Sequence, residues 1–249
     1  MFKFAVVLLA VAGSAFAQEK LYATHLDMRT TIALKASDAA VQKMLPAGWE
    51  LNPPTGGPAK GANLTLVLVE QVMFLDENGK PKERSRGVTL AIPARKTGGK
   101  EAGSMIVSGL YSAGNVPGAY EVYMPADVTI DRKQRADGDG KVLVEERWTL
   151  KGPDGHAFEV HVAYVRGAAA KAKTDSKAYS GARPDFYRIY RADVVSDVAR
   201  SVPNGEDRVS VVSVKVNGQK YAQVFDGSEK IIAITSIPSF SREIFLPVK

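Results

Sequence analysis

Gly87-Val88-Thr89-Leu90-Ala91-Ile92-Pro93-Ala94, the link Lys96-Thr97-Gly98-Gly99-Lys100, and the run from Ser104 to Tyr111 form the stretch that decides the fold. Both runs are apolar, rich in β-branched residues and too short for an ordinary helix, and a glycine pair lies between them, so they read as two strands and a turn. Towards the N-terminus, Leu64 to Leu75 has the same character and ends on the turn Asp76-Glu77-Asn78-Gly79. A meander is the simplest arrangement of the three. Towards the C-terminus, Asp137-Gly138-Asp139-Gly140 precedes a strand from Lys141 to Leu150, and Lys151-Gly152-Pro153-Asp154-Gly155 returns the chain into Ala157 to Val165 as a hairpin. A second hairpin is expected where Ser210 to Val216 and Lys220 to Phe225 flank Asn217-Gly218, because both turn residues tolerate positive φ. The pattern rules give about eight or nine strands.

The clearest helix runs from Ser37 to Leu45: Ser37 caps it, Asp38 complements its dipole, and Pro46 stops it. Ala40, Val41, Met44 and Leu45 recur at three and four residues and form its buried stripe. Gly167 to Arg183 has no hydrophobic face and reads as an exposed loop. No composition break or internal repeat divides the chain, which predicts one mainly β domain over residues 18–249. Closing the sheet would remove its exposed edges.

The chain has 249 residues, 45% of them apolar and 24% charged, which excludes disordered and collagen-like classes. There is no cysteine, so disulfides, thiolate nucleophiles, iron–sulfur clusters and cysteine-ligated zinc are all excluded. A net charge of +6 is too small an excess to argue for nucleic acid as a partner. Met1 to Ala17 has the three parts of a secretory signal: Lys3, an apolar run from Phe4 to Ala12, and Ala15-Phe16-Ala17. Cleavage after Ala17 is expected, giving a periplasmic or secreted protein with no membrane insertion after cleavage. The apolar run falls short of the roughly 20 residues that a membrane span needs.

Three scattered histidines, His25, His156 and His161, are a weak metal signal, and no metal or other cofactor is expected. Asp137-Gly138-Asp139-Gly140 is too short and lacks the closing glutamate of a calcium loop. Gly98-Gly99-Lys100 lacks the Ser/Thr and the helix of a phosphate cradle, and no Gly-x-Ser-x-Gly elbow occurs. In Phe158-Glu159-Val160-His161-Val162-Ala163-Tyr164, Glu159 and His161 share one strand face, opposite Phe158, Val160, Val162 and Tyr164. With Arg147 on the partner strand they are the candidate catalytic set, expected to line the interior of a closed sheet. A solvated strand face with cross-strand charge pairs to Glu145, Glu146 and Arg147 is the alternative.

The order of these motifs resembles the acetoacetate decarboxylase family over most of the chain. The helix with Pro46-Ala47-Gly48-Trp49-Glu50-Leu51 is similar to the family's early helix and its proline-containing exit, and the two central strands are similar to the family's paired strands. In Gly118-Ala119-Tyr120-Glu121-Val122-Tyr123-Met124-Pro125-Ala126-Asp127 the spacing from glycine to proline is that of the family. The resemblance implies a single cone-shaped β-barrel with few helices, enclosing a small cavity, and a lyase family whose chemistry uses two lysines directly after that proline. The first forms a Schiff base with a keto acid, and the second lowers its pKa. Here Ala126 and Asp127 occupy the two lysine positions, so that imine has no amine at its usual place. Gly87 stands where the family carries a carboxylate upstream of Ala91-Ile92-Pro93.

Three functions compete. The first is an exported protein of this type that binds, and transforms, a small organic acid or carbonyl compound without a Schiff base at the usual position. The second is a non-enzymatic periplasmic carrier of a small hydrophobic or anionic ligand. The third is a surface module acting through basic loops such as Arg166 to Lys177.

Overall fold

A computed structural model describes residues 19–247; the signal expected over residues 1–17 lies outside them. The central run forms the two buried strands anticipated from its pattern. The strands are β1 (Glu19–Lys35), β2 (Trp49–Leu51), β3 (Leu64–Asp76), β4 (Arg86–Lys96), β5 (Ala102–Ser112), β6 (Tyr123–Ala136), β7 (Val142–Lys151), β8 (Ala157–Val165), β9 (Ala170–Ser180), β10 (Tyr187–Ser201), β11 (Glu206–Asp207), β12 (Val209–Asn217) and β13 (Lys230–Pro247). From Gly87 to Ile92, β4 is buried on both faces, which is why its sequence reads as a continuous apolar run.

Seven strands close into a ring: β1 pairs with β3, then β4, β5, β9, β10, β13 and back to β1. All these pairings are antiparallel except β5 with β9, which are parallel over only three residue pairs, Ser104–Ile106 with Ala178–Ser180. Beyond that point β5 turns the same edge to β6, again in parallel, with Gly109 opposite Tyr123 and Ser112 opposite Ala126. The sheet therefore forks at β5. The second limb continues through β7, β8 and β12 and folds over the outer face of the ring. Between limb and ring lies the main apolar core, where Ile32, Leu66, Leu68 and Leu90 meet Trp148, Phe158 and Val160.

The helix α1 (Asp38–Gln42) is shorter than the expected Ser37–Leu45. Ser37 makes no side-chain cap; Asn63 holds the entry instead, bonding both backbone groups of Ala36 (2.9 Å each) and the Asp38 carboxylate (2.7 Å). Two further expectations are corrected. The supposed loop 167–183 contains strand β9, whose residues Ala170 to Lys177 are exposed on both faces, so backbone pairing with β10 specifies it and no apolar alternation marks it. Residues 220–225 form no strand. Gly218 has a φ of 122°, and a single 3-10 turn, Gln219–Tyr221, drops the fully buried Tyr221 into the core, where its hydroxyl meets Ser108 Oγ at 2.7 Å.

Two glycines of the ring are dictated by tyrosines lying over them. A Cβ on Gly87 would strike the Leu110 carbonyl and come within 2.6 Å of the Tyr111 ring, and one on Gly109 would strike the Val88 carbonyl and come within 2.8 Å of the Tyr123 ring. The Tyr111 and Tyr123 rings meet at 4.7 Å, tilted by 58°, and both hydroxyls reach Thr89 Oγ1. The missing carboxylate at position 87 thus has a physical reason: no side chain fits under Tyr111. Gly87→Ala is expected to cost about 1–3 kcal/mol of stability, the usual penalty of overpacking, measured by urea denaturation, and a neutral effect would contradict this packing.

Candidate functional site

Of the residues singled out by pattern, His161 and Arg147 meet through Glu145 while Glu159 stands apart, and none of them is on the inner face. Phe158, Val160, Val162 and Tyr164 are the side of β8 that packs into the core; Glu159 is exposed and His161 half-buried on the other side. His161 Nε2 lies 2.8 Å from Glu145 Oε1, and Arg147 donates to the same oxygen through Nη2 (2.6 Å) and Nε (3.0 Å). Hydrogen bonds from Arg147 and His161 hold the Glu145 carboxyl below the usual carboxylate range. Glu159 stands opposite Thr149 and Lys215 on the neighbouring strands. The expectation that Glu159 and His161 line the interior is therefore corrected: the core between ring and limb is apolar, and only the Phe158 face matches it. The cluster has the geometry of cross-strand charge pairing.

One neighbour does turn inward. Glu146 is buried, accepts from Thr30 Oγ1 and Trp148 Nε1 (3.0 Å each), and has Arg132 at 3.5 Å, which also reaches Glu70 at 2.8 Å. Of the two positions marked by the resemblance, Ala126 is buried in the apolar core and Asp127 is exposed, opposite Lys151 on β7.

A cavity of about 670 Å³ opens near the start of β6, with Met124 in its wall; Ala126, two residues on, does not line it. Met124 shares the wall with Met44 beyond α1, Val107 on β5, and Glu121 and Tyr123 entering β6. The segment that follows Gly218 completes it, with Gln219, Lys220, Gln223 and Val224. Val107 is the extra residue of a bulge in β5, since Leu90 pairs with Ser108 and Ala91 with Ile106. Its carbonyl accepts a hydrogen bond from Lys220 Nζ at 3.2 Å. Lys220 as a whole is exposed, but its amine end is tucked in at this contact, and burial lowers its pKa. At the rim, Glu121 has a φ of 56°, rare for a residue with a side chain, and its carboxylate pairs with Arg183 at 3.0 Å. Pattern reasoning missed this cavity because its parts lie far apart in the chain. Among the described residues no group of three His, Asp or Glu is placed to hold a metal ion.

A second feature the sequence hid is a buried polar cluster on the inner face of the ring. Asp27 on β1 is fully buried, with Arg29 at 2.6 Å and Arg242 of β13 at 3.5 Å. Burial pushes its carboxyl up, but the charges of Arg242 and Arg29 outweigh this and hold it below the ordinary value. His25 directly faces Arg242 across the β1–β13 pair. Its Nδ1 receives Gln71 Nε2 and Arg242 Nη2 at 3.1 Å each, while Gln71 Oε1 accepts from the Ser85 backbone and hydroxyl. With two donors aimed at it, Nδ1 must carry a lone pair, so the ring is neutral with its proton on Nε2. Burial, and then the charge of Arg242, lowers the His25 pKa from 6.5 to about 3.

The sign of the pH effect follows. Between pH 6.5 and about 3 an unfolded chain protonates this histidine and the folded one does not, so stability is lost as pH falls through that window. Asp27, with its lowered pKa, adds to the loss below its ordinary value of 3.8. Thermal midpoints measured across this range should fall on acidification, and His25→Asn should flatten the upper part of the slope; an unchanged slope would contradict a neutral buried His25.

No family model matches the chain, and no curated protein matches it. Among solved structures, it is similar to the enduracididine biosynthesis enzyme MppR, a complex with the condensation product of pyruvate and imidazole 4-carboxaldehyde, at a TM-score of 0.52 and 8% identity over 96% of this chain and 92% of that one. It is also similar to an acetoacetate decarboxylase-like enzyme from Sphingomonas wittichii RW1, at a TM-score of 0.51 and 13% identity over 98% of this chain and 99% of that one. At such identities the likeness is one of fold, and with the forked, ring-like sheet it establishes that this chain has the acetoacetate decarboxylase-like fold.

Proposed function

We propose that this protein is exported and binds, and transforms, a small organic acid or carbonyl compound in the cavity near the start of β6, without an imine at the lysine position usual in the family it resembles. The observation that carries this reading is a cavity of about 670 Å³ with Met124 in its wall, on the strand where an alanine, two residues further on, stands at the position that the resemblance gives to a nucleophilic lysine. A methyl group has no lone pair with which to attack a carbonyl, and the exposed carboxylate of Asp127 supplies no positive neighbour. The size suits a ligand of modest dimensions, and the mixture of methionine and valine with glutamine, lysine and glutamate is that of a small-molecule site. Export rests on Lys3, the run Phe4–Ala12 and Ala15-Phe16-Ala17. The loss of both lysines equally favours a carrier of a small hydrophobic or anionic ligand.

Mass spectrometry of what co-purifies with the mature protein separates the two: a keto acid or aldehyde is expected of the enzyme, a lipid of the carrier. Calorimetric titration with pyruvate and acetoacetate should show saturable binding that Met124→Trp, which narrows the cavity at its wall, weakens. Absence of both a co-purifying compound and any heat of binding would overturn the reading, as would N-terminal sequencing that finds Met1 retained in place of Gln18.

A further inference from the structure

We propose that Arg188 binds a doubly charged oxyanion, of the sulfate or phosphate kind, at the mouth of the ring. Arg188 lies on β10 and is only 8% exposed, and its Nε is enclosed with no acceptor. Among the described residues its guanidinium forms no ion pair and donates no hydrogen bond; two rings flank it instead, with their centres at 4.5 Å for Tyr22 and 5.6 Å for Tyr120. Aromatic faces offset part of the cost of keeping a cation out of water, but a buried guanidinium is ordinarily matched by an anion. The neighbouring groups enlarge the mismatch. Arg29, Arg188 and Arg242 all lie close enough to act on the neutral His25, and Asp27 is the one carboxylate among them, so this group of side chains carries two positive charges in excess. Nε of each arginine and the protonated Nε2 of His25 are buried donors without partners, against one such acceptor, Asp27 Oδ1.

Charge and access both narrow the ligand. A monocarboxylate leaves one of the two charges uncompensated, whereas a dianion matches them, and a guanidinium fork presents paired donors to two oxygens of one ion. Tyr120 and Tyr190 join through their hydroxyls, and Arg242 lies 4.6 Å from the centre of the Tyr190 ring, so one continuous layer runs from Arg188 to Arg242. Tyr22 is the extra residue of a bulge in β1, since Leu21 pairs with Phe245 and Ala23 with Ile244, and its ring lies over Arg188. The same ring and that of Phe74 line a separate cavity of about 420 Å³, and Phe74 packs on His25 at 4.4 Å. That cavity therefore ends on the two rings that cover the orphaned donors. Its rim carries Asp76, paired with Lys82 at 3.0 Å, and the exposed Glu77 and Glu83. Those carboxylates repel polyanions and leave a small ion, or an ester with an uncharged remainder, as the occupant. The face of β6 that carries Ala126 looks the other way, into the apolar core between ring and limb.

Calorimetric titration of the full mature protein with sulfate, inorganic phosphate, phenyl phosphate and acetate, in a buffer free of these ions, is the test. One site per chain is expected for sulfate and for phosphate, with acetate about tenfold weaker or more. Tighter binding of phenyl phosphate identifies an ester as the occupant and equal binding identifies the free ion; either supports the site. Arg188→Gln should weaken both dianions by about tenfold or more. It should also raise the thermal midpoint of the ion-free protein, because it deletes a buried charge that has no partner. An Arg188 that only holds the fold predicts the opposite: a lower midpoint and no change in binding. Arg95→Gln, which breaks a surface pair with Glu50, should bind both ions as the parent does. Tyr22→Ala replaces a surface residue and should weaken sulfate several-fold by opening Arg188 to water, which keeps the test decisive if the Arg188 variant does not fold. The proposal is overturned by the absence of binding of either dianion, by binding that neither variant weakens, or by acetate binding as tightly as sulfate.

Discussion

A carboxylate with two guanidinium groups, at the seam where the ring closes, is the constraint on which the architecture turns. Strand β1 must lie beside β13 for seven strands to form a ring, and the middle of that pairing carries Asp27, His25 and Arg242 on the inner face. Charges are costly there, and Asp27 offsets the cost only because both arginines meet it. The arginines are held on their other sides by aromatic faces: Arg29 lies 3.8 Å from the centre of Phe240, and Arg242 lies 4.6 Å from that of Tyr190. The His25 imidazole completes the set as an acceptor, which forces it to remain neutral. Such a network gives the seam a single register, because sliding β1 by one residue would send Asp27 to the apolar face and strand both arginines.

From that seam the position of the cavity follows by pairing. Glycines at 87 and 109 let Tyr111 and Tyr123 lie flat across β4 and β5, which brings β6 close enough to pair in parallel with the second half of β5. The first half of β5 is left to β9. Where the two partners separate, at Val107, the ladder is interrupted by a bulge and the wall opens. The cavity is thus a consequence of the fork, and its polar contacts are recruited from whatever segment crosses the opening, here the turn after Gly218.

The core strands β3, β4, β5, β7 and β8 were legible in the sequence because each buries at least one face; β4 read as a continuous run and β8 as an alternation. No strand was delimited over β1, β6, β10 or β13, and two further stretches differ from expectation. In β9 the residues from Ala170 to Lys177, lysines and Thr174 among them, face water on both sides, so no periodicity exists there to be read. After Asn217-Gly218 the sequence satisfies the rules of a hairpin, but Tyr221 gains more by burial than by pairing, and tertiary packing overrides the local signal. The site was less legible than the fold. Glu159 and His161 share a face, as period two requires, but the choice between inside and outside depends on what packs opposite, which one strand does not contain. The Asp27 cluster was hidden for a related reason: an acid and two bases scattered over β1 and β13 look like ordinary surface charge until the ring brings them together.

The same fork constrains the strand and the turn that border the opening. The start of β6 is constrained by its neighbours: Ala126 contributes to the apolar core, Met124 forms the wall, and their backbone is fixed by pairing with β5 on one side and β7 on the other. A lysine there would need its charge removed from water, at a cost that only a matching pocket offsets. On the turn after Gly218 the cost is smaller, because an exposed stem can carry an amine to the same space from outside. Tyr221 fixes that turn through Ser108, and the turn brings the Lys220 amine to the Val107 carbonyl.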